Sequence, residues 1–180
     1  MKNLITILLH LLFSFLTEIY SQNPGKCIKT IDEFTKDTII QSDVESIGRC
    51  KHHGINYFIE SKLYLVNGFP KIVLVPEFSK VQTIEKGEII YFKFDNDSIF
   101  EFHAQESEVS DYKSGKPFTQ GTSNTVWYNE LHLPLSKDAI DILTQKQVVK
   151  IRIHGFVFDI KKGKEEAFKN MINCANLLLN

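Results

Sequence analysis

The chain has 180 residues, with 21 basic and 22 acidic side chains and a formal charge of −1. That length suits one domain, and near-neutral charge speaks against nucleic-acid binding, which usually brings a basic excess. With 43% hydrophobic and 24% charged residues, 9 Gly and 5 Pro, wholly disordered, collagen-like and low-complexity classes are excluded.

Met1-Lys2-Asn3 is a short positive start, Leu4 to Leu16 is a mostly apolar run, and Thr17 to Ser21 ends in a small residue. This three-part pattern predicts a secretory signal peptide over residues 1–21. As a helix the run would span about 20 Å, against a hydrocarbon core of about 30 Å. Glu18 also stands where a longer span would have to continue. Cleavage is expected after Ser21, although Ile19 at the minus-three position is larger than the ideal. The first cysteine lies in Asn-Pro-Gly-Lys-Cys27, without small apolar residues before it, so a lipid-anchored start is disfavoured. The expected product is exported, periplasmic or secreted, with no stable membrane span after cleavage. Its 159 residues carry a charge of −1. Such a chain buries roughly two-thirds of its unfolded surface, so the core needs no staples to exist.

Cys27, Cys50 and Cys174 all follow the cleavage site. In an oxidising compartment one disulfide among them is expected, and three pairings are open. Cys50 with Cys174 would tie an early β region to the last helix; Cys27 with Cys50 would clip the N-terminal segment. The alternative is three reduced cysteines acting as small hydrophobes.

Residues 22–35 carry few apolar side chains and predict an extended lead-in to a single domain over 36–180. Thr38 to Gln41 suggests a first short strand. Asn67-Gly68, between the β-forming runs Tyr57–Val66 and Phe69–Val75, predicts a hairpin with a type I′ turn. Pro70 and Pro76 lack ladder donors, which places the ends of that second strand at an edge or a bulge. Glu85-Lys86-Gly87 is a turn before Glu88–Phe94, and Asp95-Asn96-Asp97 returns the chain into Ser98–Ala104. In that strand Phe100 and Phe102 share one face while Glu101 and His103 share the other. Asn124–Leu135 contains another extended segment with Val126, Trp127 and Tyr128.

Ser136 is a fair N-cap for a short helix over Lys137–Thr144, with Ala139, Ile140 and Leu143 inward. Gln147–Ile153 alternates, His154-Gly155 makes a tight turn, and Phe156, Phe158 and Ile160 supply the next inward set. From Lys164 the period becomes helical through Phe168, Met171, Ile172, Ala175, Leu178 and Leu179, one face of a C-terminal helix over about 164–179. The sum is about seven to nine short strands and two helices. The expected class is mainly β with a C-terminal helix (α+β), an antiparallel β-sandwich or half-open barrel with one short internal helix.

Four short segments recur in a fixed order: Asp32-Glu33-Phe34-Thr35, Glu85-Lys86-Gly87-Glu88-Ile89-Ile90, Leu133-Pro134-Leu135-Ser136 and Val149-Lys150-Ile151-Arg152-Ile153. Over residues 30–160 the chain resembles a group of uncharacterised small exported β-rich proteins of Bacteroidetes-type bacteria. The resemblance implies an exported, β-rich domain and brings no activity, cofactor or catalytic residue.

Cys50-Lys51-His52-His53 is the densest group of metal-ligating side chains, since zinc takes Cys and His donors in a tetrahedron. It offers two or three ligands at most, and no second Cys/His pair stands at finger-like spacing; the plain reading is a polar turn before Gly54. Glu101 and His103 could do acid–base work under a substrate, but a half-buried strand accounts for them equally well. There is no Gly-x-Ser-x-Gly elbow and no phosphate loop, and Asp95-Asn96-Asp97 lacks the later ligands of a calcium site.

Gln105–Asn124 is the longest polar stretch, containing Tyr112 and Phe118 and followed by Trp127 and Tyr128. Aromatic faces beside polar groups suit stacking on sugar rings or anchoring a partner, whereas a core Trp127 beside a solvated loop is the bland alternative. Residues 85–111 hold a local charge of −6 and residues 137–164 a local +4. These zones would pair across the sheet if Glu101 and Arg152 faced neighbouring strands. The expectation is a non-catalytic exported binding or interaction module for a protein or glycan, without cofactor and without nucleic acid. The rival expectations are a small exported hydrolase using Glu101, His103 or the His52/His53 region, and a purely structural envelope accessory.

Overall fold

The computed structural model describes residues 27–113 and 126–179. The signal-peptide segment, the proposed cleavage site and Phe118 lie outside these residues. In chain order the elements are β1 (Cys27–Ile31), β2 (Thr38–Ser42), β3 (Glu45–His52), β4 (Ile55–Val66), β5 (Phe69–Phe78), β6 (Thr83–Ile84) and β7 (Ile89–Phe94). Then follow β8 (Ile99–His103), β9 (Glu108–Val109), β10 (Asp111–Lys113), β11 (Val126–Tyr128), β12 (Leu131–Pro134), α1 (Lys137–Gln145), β13 (Val148–Ile153), β14 (Phe156–Ile160) and α2 (Lys164–Leu179). The fold is mainly β with a C-terminal helix, in the half-open barrel form.

Twelve strands form one curled antiparallel sheet; nine run in the order β10-β11-β5-β4-β3-β14-β13-β7-β8, and β2 (with β1 beyond it) and β12 attach to β4 and β5. β4 is its spine. Tyr57, Ile59, Ser61, Leu63 and Leu65 are buried and their neighbours turn outward, the period-2 pattern of a strand with one core face. The first half of β4 pairs with β3, its last residues with β2, and its other edge with β5. β6 and β9 pair apart from the main sheet.

The curl is visible in what touches α2. Phe92 on β7 stacks near Phe168 at 6.3 Å, and the Ser61 hydroxyl on β4 donates to Met171 Sδ at 3.7 Å. In a flat sheet β4 and β7, four strand spacings apart, would be separated by about 19 Å. Both reach one helix, so the sheet wraps around α2, and the core of Phe78, Phe92, Phe94, Phe158 and their aliphatic neighbours fills the space between. α1 packs against α2 and is capped by Ser136, whose Oγ accepts from the Ala139 N–H at 3.1 Å.

Turn chemistry sits where the sequence puts it. Asn67 and Gly68 have φ values of 51° and 83°, and His154 and Gly155 values of 47° and 80°, the positive pairs that a two-residue hairpin turn needs. Asp95–Asp97 closes the β7–β8 hairpin, with the Phe94 N–H donating to the Ser98 carbonyl at 2.9 Å.

Several expectations need correction. The lead-in is a paired strand from Cys27 onward, because β1 lies antiparallel on β2. The segment read as a polar turn at Cys50–His53 is the end of β3; the turn itself is His53-Gly54. β5 is an interior strand, not an edge. Pro76 falls at the break between β12, which covers residues 71–74, and β11, which covers 77–78, so its missing N–H costs no ladder bond. Pro70 stands just beyond β12, where its carbonyl accepts from the Leu135 N–H at 2.9 Å.

The disulfide is neither of the two pairings weighed in detail. Cys27 bonds to Cys174, and Cys50 is a buried free thiol. The register explains the choice. Cys27 stands opposite Ser42, whose hydroxyl accepts from the Leu63 N–H, and Met171 reaches Ser61 next along β4. Cys174 therefore arrives at the β1 end, whereas Cys50 stands opposite Tyr57 near the other end of β4.

Candidate functional site

The polar stretch beginning at Gln105 is not one loop. Its described part forms β9 and β10, held to the domain by backbone and short polar side chains. Ser107 Oγ accepts from the Lys86 N–H at 3.0 Å and donates to Glu85 at 3.2 Å. Buried Ser110 and Asn129 anchor the next step. The Ser110 hydroxyl accepts from the Gln82 N–H at 2.9 Å and lies 2.8 Å from Asn129 Oδ1, while Asn129 Nδ2 donates to the Glu108 carbonyl at 3.2 Å. Buried polar groups need such partners, so this network fixes where the ribbon β10–β11 leaves the sheet.

On that ribbon Tyr112 stands opposite Trp127, with ring centroids 5.7 Å apart in an edge-to-face arrangement. Trp127 is itself opposite Phe78 of β5 and packs against the core, while the Tyr112 ring on the outer strand is 54% exposed. Tyr128 points to the other face, opposite Glu77, and its hydroxyl donates to Asp111 at 3.3 Å. A shallow cleft of about 450 Å³ lies on that side, bounded by Glu108, Asp111, Tyr128, Asn129 and Glu130. Of the four aromatic candidates, the fold joins Tyr112 to Trp127 and turns Tyr128 away from them. Phe118 lies outside the described residues.

The His52 and His53 rings meet edge-to-face with centroids 4.2 Å apart, but Cys50 does not complete a ligand group with them. Cys50 is buried on the core face, and burial pushes its thiol up to about 11, with Asp159 and Glu77 adding to the shift. Burial also raises the hydroxyl pKa of Tyr57, opposite it. His52 packs on Phe156 at 5.4 Å, with its Nδ1 3.4 Å from Ser79 Oγ, and His53 sits in the turn. Among the described residues no group of three or more His, Cys, Asp or Glu could hold a metal ion.

Glu101 and His103 share the outward face of β8, and His103 Nδ1 lies 3.3 Å from the Gly87 carbonyl oxygen. Glu101 and Arg152 are not on neighbouring strands: Tyr91 of β7 stands between them, opposite both. The acidic and basic zones instead meet at Glu88 and His154, with Oε1 and Nδ1 2.9 Å apart. These two residues are 66 positions apart, and nothing in local spacing announces them.

No family model matches the chain, and no curated protein and no solved structure matches it either.

Proposed function

We propose that this protein is a non-catalytic exported binding module that engages a glycan or protein partner through the β10–β11 ribbon. The observation that carries the reading is the Tyr112–Trp127 pair: an exposed ring braced edge-to-face on a half-buried one, at the margin of the sheet. A ring held this way offers flat apolar area at little cost in side-chain entropy, which suits stacking on a sugar or anchoring a partner side chain. Export is supported by the pattern of residues 1–21 and by the Cys27–Cys174 bond, which belongs to an oxidising compartment. The resemblance to small exported β-rich proteins points the same way.

Trp127 is the single tryptophan of the chain, so its emission reports directly on the ribbon. Titration with soluble oligosaccharides and with envelope extract should shift that emission saturably, and Tyr112→Ala should abolish the shift while leaving the fold intact. Unchanged emission across both, or a shift retained in Tyr112→Ala, would remove the ribbon as the binding surface.

A further inference from the structure

The outward face at the other end of the sheet carries a second polar group, five strand spacings from Trp127. That is about 24 Å along the sheet. Register fixes its members. Tyr91 of β7 stands between Glu101 of β8 and Arg152 of β13. One step along the same face, Ile89 stands opposite His103, and His154 follows Arg152 by two residues. Between them opens a cleft of about 280 Å³, lined by Glu88, Ile89, Tyr91, Arg152, His154 and Gly155.

Two features make this more than a solvated face. The Arg152 guanidinium lies 4.0 Å from the centre of the Tyr91 ring. The contact holds the guanidinium against the ring face, and a guanidinium so held can grip a carboxylate with two parallel bonds through its N–H groups. Among the described residues no carboxylate lies within ion-pair distance of Arg152. Glu88 is engaged by His154, and Glu101 lies across Tyr91. The second feature is the orientation of His154. With Glu88 Oε1 2.9 Å from Nδ1, the neutral ring places its proton on Nδ1 toward that acceptor, and Nε2 is then the acceptor open to a ligand. His154 is also held at a φ of 47° by the hairpin turn, which fixes where its ring starts.

We propose that this cleft binds a sugar acid, its carboxylate paired with Arg152 and a neighbouring hydroxyl donating to Nε2 of His154. The charge count favours a monoanion. Arg152 offers one unmatched positive charge, and Glu88 stands close by, so a dianion would bring an unmatched charge against that carboxylate. Ile89 gives the floor an apolar face for the C–H side of the ring, and the remaining hydroxyls can donate to Glu88. The site is independent of the ribbon and stands or falls without it.

The test is titration of the isotope-labelled mature protein with sodium D-glucuronate, followed by backbone amide and arginine Nε–H signals. Saturable shifts at Ile89, Tyr91, Arg152 and Gly155 are expected, with a Kd on the order of 1 mM. Arg152→Gln should weaken binding by about tenfold or more, with only partial recovery in Arg152→Lys. Tyr112→Ala should leave the titration unchanged. Glucose binding as well as glucuronate, inorganic phosphate binding more tightly, or full affinity in Arg152→Gln would each overturn the proposal.

Discussion

Cys27 and Cys174 are joined by a disulfide across 147 positions, tying the first described strand to the last helix. A loop of that length carries a closure entropy of about 5 kcal/mol in the chain-entropy account, and native disulfides are typically worth about 2–5 kcal/mol. The double variant Cys27→Ser with Cys174→Ser should lose stability in that range. Urea unfolding checks it, with the reduced wild type as the matching control. An unchanged midpoint would show that the bond constrains nothing the core does not already hold.

Cys50 makes stability fall in alkali. Its thiol is neutral when protonated, and burial raises the folded value from 9.0 to about 11, so the folded state keeps the proton longer than the unfolded chain does. The resulting contribution is fully present below about pH 9 and is lost as pH rises towards about 11. Urea midpoints of wild type and Cys50→Ala across that window should converge as pH rises. Parallel curves would mean that the thiol does not titrate as its burial demands.

Gly48 stands opposite Ile160 where β3 pairs with β14. A Cβ there would stand 2.9 Å from the Asp159 carbonyl oxygen, 3.0 Å from Ile59 Cγ2 and 3.2 Å from Ile160 Cδ1. The first of these is backbone and has little room to yield. Gly48→Ala should therefore cost about 1–3 kcal/mol through overpacking. Thermal unfolding measures it, and a gain in stability would show that β14 can shift outward without loss.

Asn129→Ala should loosen the ribbon before it unfolds the domain. It removes the buried acceptor beside Ser110 and the part-buried donor to the Glu108 carbonyl. Leaving such groups unpaired costs about 1–3 kcal/mol. Amide exchange should accelerate at Asp111, Tyr112 and Trp127 more than in β4. Uniform acceleration would place Asn129 in the global core instead.

The two aromatic rings of the ribbon separate function from folding. Tyr112→Ala, at an exposed ring, should change stability by no more than about 0.5 kcal/mol. Trp127→Ala should cost about 2 kcal/mol or more, because its ring packs against Phe78 and the core. Equal costs in denaturant melts would contradict the division of exposed and braced rings.

What the sequence discloses is local. Asn67-Gly68, Asp95–Asp97, His154-Gly155 and the Ser136 cap are legible because a turn or cap is decided by a few adjacent residues. The Lys164–Leu179 helix is legible because its period changes from 2 to 3.6. β3 is not, since its register shifts between Ser46 and Gly48 and the alternation breaks there. β9 and β10 are not legible because they are two or three residues long and mostly polar, held by backbone pairing. Of the candidate site, the Tyr112–Trp127 grouping could be read from composition. The Glu88–His154 pair and the Arg152–Tyr91 stack could not, because strand register alone brings them together.

The interior of the curled sheet is filled by a helix that follows every one of its strands in the chain. A ribosome delivers β1 to β14 before it delivers α2, so the strands must wait with their apolar faces uncovered until Phe168, Met171, Ile172 and Ala175 appear. No partial chain can close early around a finished core. Losing α2 would therefore cost the molecule its inner lining, and a chain cut just after β14 would be an open shell rather than a slightly smaller domain.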